Sequence, residues 1–115
     1  MTEADALLLS VAVEAPAAAL LIWLTRWGPA WRAASAATLA TLGTHWLAWR
    51  SILWLMPWSD YAATVLLVEA GVVAMEAIAY RLIVPLGLRR ALVMSLAANA
   101  ASTVIGLMLY GLDFA

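Results

Sequence analysis

Two carboxylates seven residues apart lie within an apolar stretch of this chain, and they are its most conspicuous candidates for chemistry. The stretch runs from Val68 to Arg81 and contains Glu69, Glu76 and Tyr80. On an α-helix a separation of seven residues is almost two turns, so these three side chains share one face. An acidic residue at the centre of a membrane costs roughly 2.5–3.5 kcal/mol. The two glutamates therefore need partners, water or protons.

Three other apolar segments carry polar residues at helical spacing, so each would present a polar stripe on one face. The first segment holds Ser10 and Glu14. The second holds a stripe of Ser35, Thr38, Leu42 and His45, with Thr41 and Thr44 at its edge. The fourth holds Ser95, Asn99, Ser102 and Gly106. Counted from the segment ends, eight residues lie in the central part of the bilayer, and we predict that they form a polar core: Glu14, Thr41, Thr44, His45, Glu69, Glu76, Asn99 and Ser102.

The composition is that of a membrane protein with several spans. Of the 115 residues, 67% are hydrophobic and 11% are charged, and the mean hydropathy is +0.98. Soluble domains are about half apolar and about a quarter charged. The net charge of -1 argues against nucleic acid as a partner. Because the chain has no cysteine, thiol chemistry and thiolate metal sites are excluded.

The chain divides into four apolar segments within a single transmembrane domain, residues 1–115, with spans at about 6–25, 33–55, 61–84 and 91–112. Each has close to the roughly 20 residues that a membrane-spanning helix needs. The N-terminus is acidic and Glu14 interrupts the first apolar run, so we expect a retained span rather than a cleaved signal peptide. The predicted fold class is all-α, a polytopic transmembrane four-helix bundle.

The basic residues predict the orientation of the chain in an inner (cytoplasmic) membrane. The first and third turns hold or border five arginines, namely Arg26, Arg32, Arg81, Arg89 and Arg90. Only Arg50 lies toward the opposite side. Because loops rich in arginine remain in the cytoplasm, we predict that both of these turns are cytoplasmic and that both termini lie outside.

The two halves of the chain resemble each other, which predicts a bundle built from two tandem helical hairpins. The sequence around Glu14 aligns with that around Glu76 at an offset of 62 residues. After the turns, an offset of 58 pairs Thr41 with Asn99 and Thr44 with Ser102. Two hairpins that insert the same way round would be related by a pseudo-two-fold axis along the membrane normal. Specific function is expected at the residues without a counterpart, which are Glu69, His45 and Tyr80.

Two interpretations of the three intramembrane glutamates compete. In the first, protonated glutamates hydrogen-bond to Asn, Ser or Thr across the bundle, and each bond contributes about 0.6–2 kcal/mol. In the second, they form a site for protons, cations or a small polar ligand, because ionisable residues inside a membrane mark ion and substrate pathways. Three acids exceed what packing needs, so we favour the second. The predicted site residues are Glu69, Glu76, Glu14, His45, Asn99, Tyr80, Ser102 and Thr44.

No cofactor is predicted, but a bound cation is compatible with this set of residues. A lone histidine is usually structural; here carboxylates lie at a similar depth, so Glu69, Glu76 and His45 are candidate metal ligands. The sequence has no Glu-x-x-His spacing, nucleophile motif or Gly-rich phosphate loop. It therefore favours a non-enzymatic protein over an enzyme, and an intramembrane metalloenzyme is a third hypothesis.

Part of the chain, from the second span onward, resembles a loose group of small four-span bacterial and archaeal membrane proteins. The resemblance rests on Thr44-His45, on Glu69 with Glu76, on Tyr80-Arg81 and on Ser95–Ser102. The group implies no established activity, and this chain has Trp46 where the group has Pro. In size and in its first-span glutamate, the chain is also similar to small multidrug resistance transporters. Its three acids, internal repeat and arginine bias depart from that family, whose mechanism is not carried over.

The sequence predicts a small transporter or channel-like subunit in which Glu14, Glu69 and Glu76 take up protons or cations beside Asn99 and His45. Because four helices enclose little space, we expect a homo-oligomer or a larger complex in the lipid bilayer. The alternative is a non-catalytic accessory or assembly subunit of a larger membrane complex. Its polar stripes would then make hydrogen bonds between subunits.

Overall fold

The computed structural model describes residues 2–110, and within that range the chain is helical with no strand. The four long helices are α1 (Glu3–Thr25), α2 (Ala30–Leu55), α3 (Tyr61–Ile83) and α4 (Leu88–Tyr110). A short 3₁₀ helix, Met56–Trp58, follows α2. The prediction of an all-α chain with four helices is confirmed. Residues 111–112 of the fourth predicted segment lie outside the described residues.

Local sequence signals fix where the helices begin and end. The Thr2 hydroxyl accepts a hydrogen bond from the backbone amide of Asp5 at 3.1 Å, and the Asp5 carboxylate accepts one from the amide of Thr2 at 3.2 Å. This capping box starts α1. Asp60 starts α3 by accepting from the amide of Ala63 at 2.8 Å. Helix α1 ends at Arg26, which adopts the left-handed conformation with φ 58°. These signals leave the glutamates well inside their helices.

Three of the described helices, α1, α3 and α4, are long and apolar enough to cross a membrane. Helices α1 and α3 each have 23 residues, which gives a length of about 34 Å, slightly more than the roughly 30 Å hydrocarbon core of a bilayer. Helix α2 holds Arg32, His45 and Arg50 and is not among the three. The fourth membrane span therefore stays a prediction.

Each helix packs against two neighbours, since α1 and α3 both contact α2 and α4. The main apolar cluster lies toward the arginine-bearing turns, and more than half of its residues are alanines, whose small side chains let helix backbones approach closely. We call this cluster the alanine-rich core. It consists of Ala18, Ile22, Ala33, Ala36, Ala37, Ala77, Tyr80, Val84, Leu86, Ala91 and Met94.

The turn between α1 and α2 touches the alanine-rich core, so a glycine there is hard to replace. A Cβ atom on Gly28 would lie 3.0 Å from Cγ1 of Val84 and 3.2 Å from Cδ1 of Ile22. We expect the Gly28→Ala substitution to lower the free energy of unfolding by about 1–3 kcal/mol through overpacking. Reversible unfolding in mild detergent, followed by circular dichroism, measures this change.

The matched control is Gly71→Ala on α3, where the added methyl group would meet nothing within 4 Å. Alanine has the higher helix propensity, so this variant should be as stable as the native chain or up to about 1 kcal/mol more stable. If both variants lost the same free energy of unfolding, the close approach of the first turn to the alanine-rich core would be contradicted.

Candidate functional site

Two buried glutamates meet near the middle of the bundle. Glu14 on α1 is 3% exposed, and Glu76 on α3 is 2% exposed. Both side chains line the same small cavity between the helices. Because ionised carboxylates only accept hydrogen bonds, two of them beside one buried cavity favour a proton or another positive charge there. We call these two residues the glutamate pair.

Both carboxyl oxygens of Glu76 have donors on other helices. Nδ2 of Asn99 on α4 donates to Oε2 at 2.9 Å, and the hydroxyl of Thr44 on α2 donates to Oε1 at 3.1 Å. Asn99 is itself oriented by a second bond from Nδ2 to the backbone carbonyl of Ser95, at 2.8 Å. Glu76 therefore connects α3 to both of its neighbours.

Glu14 has fewer donors around it. The hydroxyl of Thr41 donates to Oε2 at 3.5 Å, which is long for a hydrogen bond, and Oε1 has no partner among the described residues. A buried acceptor without a donor carries an uncompensated desolvation cost of about 1–3 kcal/mol. A proton or cation bound at Oε1 would remove this cost.

A small cavity adjoins the glutamate pair, with about 60 Å³ open to water-sized molecules. All four helices contribute to its walls. The structure brings together here seven of the eight predicted site residues, which are Glu14, Thr44, His45, Glu69, Glu76, Asn99 and Ser102. Among them, Glu69, His45 and Ser102 are half-buried, whereas the other four are buried. The cavity thus has a buried floor and a more exposed side.

Tyr80 is the predicted site residue that does not line the cavity. It is 0% exposed, it belongs to the alanine-rich core, and its hydroxyl has no hydrogen-bond partner among residues 2–110. Tyr80 follows Glu76 by one helical turn, so it lies on the side of the glutamate pair that faces the arginine-bearing turns.

His45 lines the cavity without belonging to a metal-binding cluster. Its ring lies beside that of Trp49, with the centroids 6.0 Å apart, and its Nε2 has no partner in the described part of the chain. Within residues 2–110, no group of three Asp, Glu, His or Cys side chains is placed to hold a metal ion. The candidate ligands Glu69, Glu76 and His45 therefore share a cavity but do not form such a group.

The polar stripe predicted for the second segment is rotated away from the face that the structure buries. The hydroxyls of Ser35 and Thr38 donate to carbonyls one turn earlier in their own helix, and Leu42 is 52% exposed. The buried face instead holds Thr41 and Thr44, which the sequence placed at the edge of the stripe. The reason is packing, because the alanines of α2 form the face that approaches the neighbouring helices.

The cavity also contains residues outside the predicted set, namely Ser10, Thr41, Ala48 and Val72. Two of them could have been predicted from the sequence, because Ser10 lies one helical turn before Glu14 and Thr41 is the repeat counterpart of Asn99. Ala48 and Val72 are apolar, and nothing in the sequence pattern distinguishes them from other apolar residues. A further supporting residue is Ser95, whose hydroxyl donates to the backbone carbonyl of Val73 at 2.7 Å and joins α4 to α3.

No protein-family model, curated protein or solved structure matches this chain. The resemblances noted in the sequence therefore stay predictions. An architecture such as a helical bundle serves many functions, so only the residues of the site can indicate what this chain does.

Replacing the two threonines beside the glutamate pair by similarly shaped valine should have unequal effects. Thr44 donates to Glu76 over 3.1 Å, whereas Thr41 reaches Glu14 only over 3.5 Å. We expect Thr44→Val to lower the free energy of unfolding by about 0.5–1.5 kcal/mol and Thr41→Val to lower it by less. Unfolding in mild detergent measures both variants.

A double-mutant cycle of Thr44→Val with Glu76→Ala isolates the contact between the two side chains. The cost of the threonine substitution should shrink once the carboxyl group is absent. An unchanged cost in the Glu76→Ala background would show that Thr44 acts only through its own helix.

Proposed function

We propose that this protein is a small integral membrane transporter or channel-like subunit that binds protons or cations at the glutamate pair. The observation that carries the proposal is the burial of both Glu14 and Glu76 at one polar cavity. Two buried acceptors that line one cavity favour a positive charge beside them. Since each acid costs roughly 2.5–3.5 kcal/mol at mid-membrane, apolar residues would have served packing at lower cost.

The rest of the cavity supports a small ligand. Glu69 precedes Glu76 by seven residues, or about 10 Å along α3, so a cation can meet one carboxylate before it reaches the pair. Binding sites for drug-sized molecules enclose about 300–1,000 Å³. The roughly 60 Å³ beside the pair fits a proton carrier, an ion or a compact polar molecule.

The alternative, an accessory subunit, needs polar groups that are directed at another chain. Both carboxyl oxygens of Glu76 are bonded within this chain, to Thr44 and Asn99. This internal use of the polar groups favours a site within the bundle over contacts between subunits. The cavity alone is too small for a permeation path, so a homo-oligomer or a larger membrane complex remains part of the proposal.

Exchanging the acids for amides tests the proposed function. We expect Glu14→Gln and Glu76→Gln to reduce the flux of protons or cations into proteoliposomes by about tenfold or more, the equivalent of about 1.4 kcal/mol of lost binding free energy. Glu69→Gln should have a smaller effect, because Glu69 lies at the more exposed side of the cavity.

The control is Glu3→Gln, which removes an acid at the start of α1, outside the cavity, and should leave the flux unchanged. Fluxes equal to that of the native protein in both Glu69→Gln and Glu76→Gln would rule the proposed function out.

The tandem repeat is also a proposal, and the pattern of burial supports it. The buried residues of α1 are Ala6, Glu14, Ala18 and Ile22, and an offset of 62 takes them to Val68, Glu76, Tyr80 and Val84, all of which are buried. The buried residues of α2 are Ala33, Ala36, Ala37, Ala40, Thr41 and Thr44. An offset of 58 takes five of them to buried residues of α4 and the sixth to half-buried Ser102. The bond from Thr41 to Glu14 likewise corresponds to that from Asn99 to Glu76.

Two hairpins inserted the same way round, in an inner membrane, would place both arginine-bearing turns in the cytoplasm. Because the chain has no cysteine, single cysteines can report this topology. We expect a membrane-impermeant thiol reagent to label Trp58→Cys in intact cells, and Pro29→Cys and Gly87→Cys only in inverted vesicles. Labelling of positions 29 and 87 from opposite faces would contradict the repeat.

A further inference from the structure

The bundle is packed tightly at one end and loosely at the other. Toward the arginine-bearing turns the alanine-rich core is closed, and Ile22, Tyr80 and Met94 are each 0% exposed. Toward the 3₁₀ helix, α1 and α3 still bury Ala6, Thr64 and Val68, whereas the described residues of α2 after Thr44 and of α4 after Asn99 include no buried side chain. Because protein interiors are close-packed, an ion cannot cross the closed end unless packed side chains move.

The cavity lies where these two ends meet. Its floor is formed by Glu14, Thr41, Thr44, Glu76 and Asn99, all of which are buried. Four half-buried residues lie nearer the loosely packed end, which are Ser10, Ala48, Glu69 and Ser102. Each of these four lies seven or eight residues, or about 11–12 Å, from the end of its helix. Along the cavity wall, exposure therefore increases from the glutamate pair toward the end of the bundle that carries the 3₁₀ helix.

The atoms around the glutamate pair indicate which ligand it would accept. Carboxyl, hydroxyl and amide oxygens are the ligands of hard cations. Glu14, a residue only 3% exposed, lines the cavity, and its buried Oε1 has no partner among the described residues. Two carboxyl groups and neutral oxygens suit one or two positive charges, and the volume of about 60 Å³ limits the ligand to a compact ion with little water.

We propose that the cavity is the closed end of a one-sided access path. Water and compact monovalent cations reach it from the end of the bundle that carries the 3₁₀ helix, and a layer of Ile22, Tyr80 and Met94 separates it from the other end. The choice of cation rests on the proposed function, whereas the access path rests on packing alone. In this arrangement Tyr80 is a barrier residue. It lies outside the cavity, one helical turn from Glu76 toward the arginine-bearing turns.

The absence of native cysteines makes a direct test practical. Ser102→Cys places a thiol in the cavity wall, and Val104→Cys places one on the exposed face of the same helix at nearly the same depth. A cationic, membrane-impermeant methanethiosulfonate reagent is applied from each face of the membrane. Trp58→Cys and Gly87→Cys identify the two faces, since both positions are exposed and lie at opposite ends of the bundle.

We expect Ser102→Cys to react from the face that reaches Trp58→Cys and not from the face that reaches Gly87→Cys. It should react roughly tenfold or more faster than Val104→Cys, because only a thiol in contact with water forms the reactive thiolate. Ala48→Cys, on the opposite wall of the cavity, provides a second position should Ser102→Cys fold poorly. Reaction from the Gly87 face, or equal rates at positions 102 and 104, would overturn the access path.

The same variants test whether a compact monovalent cation binds in the cavity. Sodium or potassium should slow the reaction of Ser102→Cys several-fold relative to N-methyl-D-glucamine at equal ionic strength, and Glu76→Gln should abolish that protection. Equal rates in all three salts would overturn the assignment of a compact monovalent cation. One-sided labelling together with unchanged flux in Glu76→Gln would reject the transport function and retain the access path, so the two failures are distinguishable.

Discussion

The burial of Glu14 and Glu76 at one cavity is the constraint that the rest of the structure has to satisfy. An acid at the centre of a membrane costs roughly 2.5–3.5 kcal/mol. The fold reduces this cost by placing donors on the neighbouring helices, with Thr44 and Asn99 at Glu76 and Thr41 at Glu14. Each donor lies on α2 or α4, whereas each acid lies on α1 or α3. The order of the helices around the bundle is therefore what makes the pair tolerable.

The two ends of the bundle are packed differently. The alanine-rich core lets the helix backbones approach closely on the side of the arginine-bearing turns. The other end is less densely packed, and its half-buried residues surround the cavity. The proposed access of a small ion depends on this difference in packing between the two ends.

Much of the fold and part of the site could be predicted from the sequence. Four apolar segments of membrane-spanning length predicted the four helices, and the spacing of Glu76 and Tyr80 placed both on one face, which is buried. The division of the donors between Glu14 and Glu76 was not predictable, because it depends on which helices are neighbours and how each is rotated. Helix α2 illustrates the difficulty, since its alanines rather than Ser35 and Thr38 set the inward direction. Tyr80 was assigned to the site by its register alone, which does not distinguish a cavity wall from the layer below it.

The Thr44 hydroxyl offers a physical link between the charge of Glu76 on α3 and the backbone of α2. It lies 3.1 Å from Oε1 of Glu76 and 2.9 Å from the backbone carbonyl of Ala40, but it has a single hydrogen to donate. Asn99 has two hydrogens on Nδ2 and can serve both Glu76 and Ser95 at once. The Thr44 hydroxyl can donate to only one of these two oxygens at a time, and a negatively charged oxygen is the stronger acceptor. If Glu76 lost its charge, the hydroxyl would donate to the carbonyl of Ala40 instead. Rotation of the Thr44 side chain would then link the charge on Glu76 to the backbone of α2.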